Sequence, residues 1–136
     1  MCIFCKIASG EIPCFKLYED ELVLAYLDIN PFSTGHTLVI PKRHCEGMQD
    51  ADPDLLAQMI LRVRKVAVHI KEVLPCDGFN ILQNNGAAAG QTVNHMHFHI
   101  VPRLAADAMQ DITFTNHTGD MTALAALAKR LALPNL

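Results

Sequence analysis

The sequence contains no run of about 18 consecutive apolar residues, so no segment is long enough to cross a bilayer as a helix. Its first residues, "MCIFCKIASGEIP", lack the charged and long apolar regions of a secretion leader, and a cytoplasmic protein is expected. Cationic blocks are missing too. With a formal net charge of −3 and scattered lysines and arginines, the chain has no dense patch for a nucleic-acid backbone, although small phosphorylated ligands remain open to it. Five cysteines, an odd number, argue against a disulfide framework and for reduced thiols or metal ligands. Cys14, Cys45 and Cys76 read as plain packing or surface residues. Repeats, linkers and low-complexity tracts are absent as well. What is present is 136 residues, 51% of them apolar and 18% charged, the makeup of one domain with a real core.

Period-two apolar patterning predicts strands at "FKLYED" and "ELVLAYLDI", joined by an acidic turn at Glu19 and Asp20, and another at Thr37 to Ile40, which Pro41 ends. A helix is expected from Asp52, as N-cap, with Pro53 at the first helical position, to about Leu74. Its apolar face is Leu56, Met59, Ile60, Val63, Val66, Ala67, Ile70 and Leu74. "FNILQ" reads as a fourth strand, and "MTALAALAKRLAL" as a C-terminal helix capped near Asp120. The stretch between them, from Leu104 to Asp120, reads as irregular or a short edge segment.

The segment "NHMHFHIV" carries His95, His97 and His99 at alternate positions, separated by Met96, Phe98 and Ile100. As a fifth strand, stopped by Pro102, it would anchor one face in the core and present three imidazoles on the other. Three histidines in five residues are a poor match to chance. A single metal site does not suit all three, because at roughly 3.3 Å per residue His95 and His99 lie about 13 Å apart along a strand, against Zn–N bonds of about 2 Å. Their labour must be divided.

Cys2 and Cys5 form a Cys-x-x-Cys half-site, which His44 and His95 would complete as a closed structural zinc site. Spacing alone does not bring these four together, and two free thiols satisfy the pattern equally. His97 and His99, with His36 nearby, are then left without metal; an uncharged imidazole can attack phosphorus in line, and a second can offset charge on the phosphate oxygens. No Ser or Cys nucleophile motif competes for that role. The loop "NNGAAAGQTVN" is small-residued enough to bring its amides and the Thr92 hydroxyl up to an anion, or is simply a flexible connection. The row therefore points to nucleotidyl or phosphoryl transfer.

"HMHFHIV" resembles the His-φ-His-φ-His-φ-φ signature (φ apolar) of the histidine triad (HIT) family of nucleotide hydrolases and transferases. "IFCKIASGEIPCFKLYEDELVLAYLDINPFSTGHTLVIPKRH" and "GQTVNHMHFHIVPR" extend the similarity over about residues 2–103, leaving 104–136 as a C-terminal extension of a single domain, 1–136. The resemblance implies an α+β fold: a five-stranded antiparallel sheet with one long helix and a C-terminal helix, two such sheets pairing in a homodimer. It implies His97 as the nucleophile that takes the α-phosphate, His99 as the residue that contacts the phosphate and helps the leaving group, and His36 as an auxiliary histidine. Asn84, Gln91 and Thr92 would serve the phosphate, Asp28 the ribose hydroxyls, and Phe4, Ile7 and Ile29 the base, with a purine nucleotide or its conjugate as partner. Zinc-bearing members imply Cys2, Cys5, His44 and His95 as the ligands of a structural zinc. The chain has no tryptophan to reach a neighbouring subunit's site as in the nucleoside phosphoramidase branch, while "GQTV" and "VPR" resemble the dinucleoside polyphosphate hydrolases, so the leaving group stays open. Three other outcomes are carried forward: a dinucleoside polyphosphate hydrolase specifically, a non-catalytic purine-nucleotide-binding dimer, and a zinc hydrolase in which His95 and His97 share one ion.

Overall fold

A computed structural model describes residues 2–105 and 114–134. Its elements run α1 (Ile3–Ala8), β1 (Lys16–Glu19), β2 (Val23–Leu27), β3 (Thr37–Pro41), α2 (Pro53–Val73), β4 (Gly78–Gln83), β5 (Phe98–Arg103) and α3 (Met121–Leu131). All strand pairs are antiparallel, in the order β1-β2-β3-β5-β4, so the expected α+β fold with a five-stranded sheet is what the chain adopts.

Local chemistry explains the boundaries. At α2, the Asp52 carboxylate accepts from the Asp54 amide at 2.8 Å and Pro53 opens the first turn, where no amide proton is required. Met59, Val63, Val66, Ala67 and Ile70 form its buried stripe, each contributing roughly 1 to 3 kcal/mol of transfer free energy where a large side chain is involved. The β1–β2 turn is built on Asp20, whose carboxylate accepts from the amides of Leu22 and Val23 (2.8 and 2.9 Å), from the Tyr18 hydroxyl (2.7 Å) and from Arg62 Nε (2.6 Å) on α2. Burial would raise its pKa, but these donors together hold it below the usual carboxylate value.

The two faces of the sheet do different things. Leu17, Val23, Ala25, Leu27, Val39, Phe98 and Ile100 pack with α2 and with Leu124, Ala128 and Leu131 of α3. On the opposite face, Leu24, Tyr26, Leu38 and Ile40 pack beneath Phe4 of α1. His99 is the register partner of Leu38, which places it on that second face.

Two sequence expectations need correction. The histidine row is not wholly a strand: β5 begins at Phe98, and His95 and His97 precede it, His95 closing a bend and the Met96 amide between them donating to the Cys45 carbonyl at 2.8 Å. The alternation persists, since Met96, Phe98 and Ile100 all enter the core. Nor does Pro102 end β5, which continues to Arg103 opposite Gly78. Pairing with β3 stops at Ile100, and the Pro102 carbonyl, on the side away from β4, accepts from Ser33 Oγ at 2.7 Å; the missing amide proton therefore faces a place where no ladder bond is needed. Among the described residues no helix is long and apolar enough to cross a membrane.

Candidate active site and metal centre

Helix α1, which sequence patterning did not reveal, is a short six-residue helix whose N-cap is Cys2; the Cys5 amide donates to Cys2 Sγ at 3.4 Å. It delivers both thiols to the point where His44, just past β3, meets His95. Cys2 Sγ and Cys5 Sγ lie 3.4 and 3.5 Å from His95 Nδ1, Cys5 Sγ lies 3.4 Å from His44 Nδ1, and the two Nδ1 atoms are 3.2 Å apart. A tetrahedral zinc with ordinary bond lengths sets its ligands about 3.3 Å apart for two nitrogens and about 3.5 Å for sulfur and nitrogen. The donor set fits that ion. His95 supports the fit by its protonation: Nε2–H donates to the Pro41 carbonyl at 2.8 Å, leaving the Nδ1 lone pair to face the other three ligands. His97 is not part of this cluster.

His97 is fixed in the opposite sense. Its Nδ1–H donates to the backbone carbonyl of His95 at 2.7 Å, so the Nε2 lone pair is the unprotonated atom. The edge of Phe4 packs against its ring at 5.0 Å between centroids. Burial lowers the pKa of His97, opposed by the bond to the His95 carbonyl and by the charge of Asp28. Burial thus favours the neutral ring, with the Nε2 lone pair unprotonated.

His36 and His99 form a directed pair. The amide of Phe32 donates to His36 Nδ1 at 2.9 Å, which puts the proton of the neutral ring on Nε2; that proton is donated to His99 Nδ1 at 2.9 Å. His99 in turn carries its proton on Nε2, as a donor beside the His97 ring, whose centroid lies 5.0 Å away. Burial, then the neighbouring imidazoles, push His36 down to about 3, and burial and His97 push His99 down to about 4. Both are neutral at physiological pH. Gly35, at φ +90°, makes the turn that aims His36, and a Cβ there would press on Leu74 Cδ1 at 2.7 Å. Asp28 Oδ2 lies 3.8 Å from His36 Nε2, while Oδ1 accepts from the Asn30 amide at 2.8 Å; burial raises its pKa. Asp28, His36 and His99 also gather ligand atoms within 4.8 Å of one another. Since the Phe32 amide occupies the lone pair of His36 Nδ1, Nε2 is a donor to His99 Nδ1 rather than a metal ligand, with Asp28 standing beyond hydrogen-bond distance of it.

The remaining sequence candidates divide. Phe4 is buried and Ile7 half-buried in one apolar cluster with Tyr26 and Leu38, whereas Ile29 is exposed. Thr92 is exposed and Asn84 half-buried in the loop before β5. Gln91 is buried with its amide committed inside the protein: Oε1 accepts from the Gly86 amide at 2.7 Å, and Nε2 donates to the carbonyls of Glu46 (2.6 Å) and Val93 (2.9 Å). It shapes the loop. Sequence reasoning missed Phe32, which stacks on His36 at 4.5 Å and 18° and on His99 at 5.9 Å and 22°, and Phe114, which packs on Phe32 at 5.4 Å. Only the "NPF" string after Asp28, contiguous with the site, could have pointed to the first.

Residues 9–106 match the HIT domain, and the chain belongs to the HIT family. It is 55% identical over 107 residues to a HIT-like protein of Methanocaldococcus jannaschii, covering 79% of this chain and 82% of that one. It is 50% identical over 102 residues to adenosine 5'-monophosphoramidase hnt1 of Schizosaccharomyces pombe (75% and 74% covered). With adenylylsulfatase HINT3 of Arabidopsis thaliana the identity is 47% over 108 residues, 79% of this chain but only 55% of the relative. Among solved structures, a histidine triad nucleotide-binding protein of Sulfolobus tokodaii superimposes with a TM-score of 0.86 at 37% identity, covering 96% and 89%. A zinc-bound histidine triad family protein of Mycobacterium smegmatis does so with 0.81 at 41% identity, covering 96% and 92%.

Proposed function

We infer that the chain is a hydrolase that cleaves a nucleoside monophosphate from a leaving group through a covalent nucleotidyl intermediate on His97. The observation that carries this reading is the pair of oppositely set rings: an Nε2 lone pair on His97 beside an Nε2–H donor on His99. His97 Nε2 attacks the α-phosphorus in line, forming the N–P bond as the bond to the leaving group breaks; His99 donates to the phosphate oxygens and assists the departing atom, with His36 holding its tautomer. Water then attacks phosphorus, and the nucleotide leaves His97. The relatives named for adenosine 5'-monophosphoramidate and adenylylsulfate share an adenylyl phosphorus and differ in leaving group, which favours a purine nucleotide and leaves that group open.

Asp28 accepts from the ribose hydroxyls. Phe4, Ile7 and Ile29 line the base pocket over Tyr26 and Leu38, and Asn84 and Thr92 approach the phosphate along a loop that Gln91 shapes. Cys2, Cys5, His44 and His95 hold zinc, which supplies a structural crosslink between the N-terminus and the sheet when bound. A homodimer is supported by the edge position of β4 with Ile81 exposed, and by exposed Ile60 and Leu61 on α2. The protein works in the cytoplasm as one domain, 1–136.

Turnover of an adenylated amine and of a diadenosine polyphosphate tests the reading and ranks the two leaving-group classes. Phosphoramidate or polyphosphate hydrolysis, with a nucleotidyl adduct on His97 seen by intact mass after rapid quench, supports the enzyme. Tight purine-nucleotide binding with neither turnover nor adduct makes the chain a binding module instead.

A further inference from the structure

The loop that carries the ribose carboxylate and orders the histidine pair is itself held from outside. Three consecutive carbonyls, those of Ile29, Asn30 and Pro31, accept from the Gly119 amide (3.0 Å), the Asn116 side-chain amide (2.6 Å) and the His117 amide (2.9 Å). Residues 116–119 lie beyond the segment that matches the HIT domain. They run between Phe114, packed on Phe32, and α3, whose N-cap Asp120 and buried Leu124, Ala128 and Leu131 fix it to the core.

A peptide unit is planar, so pinning its carbonyl orients its amide proton. The Ile29 carbonyl shares a plane with the Asn30 amide, which donates to Asp28 Oδ1; the Pro31 carbonyl shares one with the Phe32 amide, which donates to His36 Nδ1. We propose that residues 116–119 are a positioning strap that, through these two peptide planes, aims the Asp28 carboxylate and fixes the tautomer of the His36–His99 pair. The idea rests on the hydrolase reading for the roles of those groups, though not for the strap's geometry. Gly119 is placed where nothing larger fits: a Cβ would collide with the Ile29 carbonyl oxygen and meet Leu124 Cδ1 at 2.8 Å.

The test uses full-length, zinc-loaded protein with two variants, Gly119→Ala and His117→Pro, the second removing one donor outright. The first readout is the ratio of kcat/KM for adenosine 5'-phosphoramidate over its 2'-deoxy analogue; the second is the ring-nitrogen NMR signature of His36 in unliganded protein. Gly119→Ala is expected to lower the ribose preference about tenfold, mostly through KM, as loss of one charged hydrogen bond would. His117→Pro is expected to convert His36 from a single Nε2–H form to a tautomer mixture and to lower kcat. Wild-type ribose preference and an unmixed His36 in both folded variants overturn the strap. If Gly119→Ala does not fold, His117→Pro decides by the same two readouts, and if neither folds, replacing the His117 amide by an ester, which removes the same donor without the proline ring, must mix the His36 tautomers or the proposal is wrong. Absence of wild-type turnover would count against the hydrolase reading alone, because the NMR signature needs no substrate.

Discussion

The candidate metal cluster and the histidine pair each draw one imidazole from the same short run, His95 and His99, and the backbone sets their ring nitrogens differently. At His95 the Pro41 carbonyl takes the Nε2 proton and turns a lone pair toward two thiols and His44. At His97 the His95 carbonyl takes the Nδ1 proton and leaves Nε2 bare. At His36 an amide does the reverse, filling a lone pair so that the other nitrogen must donate. Which backbone group faces which ring nitrogen decides which nitrogen of each imidazole keeps a lone pair and which must donate.

The sharpest way to break this contrast is His97→Ala. Turnover should fall by about 10⁴-fold or more, with nucleotide binding and zinc content unchanged, because only the covalent route is removed. Steady-state assay alongside metal analysis checks it, and retained turnover would transfer the nucleophile to another group.

Cys5→Ser acts on the other half. Losing one zinc ligand should cost several kcal/mol of stability and release the metal, seen as a large drop in thermal midpoint with activity falling together with the fold. Activity lost while the fold and midpoint persist would instead point to a zinc that takes part in the reaction.

Acidification separates the halves by protons. His36 and His99 have folded pKa values of about 3 and about 4, below the ordinary 6.5 of the unfolded chain. Their contribution is complete above pH 6.5 and is lost as pH falls toward 4, where the unfolded chain binds protons that the folded one refuses, at up to about 1.4 kcal/mol per pH unit for each ring. Urea midpoints between pH 7.5 and 4.5 should show the slope, and His36→Gln at equal zinc loading should flatten it. An unchanged slope in that variant would remove His36 from the account.

The smallest effect expected is from Phe32→Leu, which keeps the amide that sets His36 and removes the stacked ring. A loss of about 0.5 to 1.5 kcal/mol, near a tenfold decrease in kcat at most, should appear without change in zinc content. A larger loss, or metal release, would mean that Phe32 supports the cluster as well.

Much of this was legible in the residues, and the gaps have physical reasons. Asp52–Pro53 announced α2 because capping is local chemistry, and alternation found the strands because the pleat has period two. The histidine row reads as a strand from the same alternation, yet side chains outside any ladder can alternate just as those within one do. Its pairing partners, not its pattern, start β5 at Phe98. Cys2 and Cys5 gave a half-site, but only the short α1, too brief to show periodicity, carries them to His44 and His95. Phe114 and residues 116–119 were invisible for a different reason: the first packs its ring on Phe32, and the others bond, through two backbone amides and one side chain, to carbonyls 86 to 90 positions earlier, which no local motif records.

His95 belongs to both halves at once, joining the Cys2–Cys5–His44 cluster with its ring and fixing the ring of His97, the proposed nucleophile, with its carbonyl. Side-chain replacement there strips a ligand and spares the carbonyl, whereas insertion or deletion of one residue between 95 and 97 shifts both out of register together. In a library of variants, a change of length in this short run should therefore cost zinc content and turnover together, where replacing the His95 side chain removes the ligand and leaves the carbonyl in place.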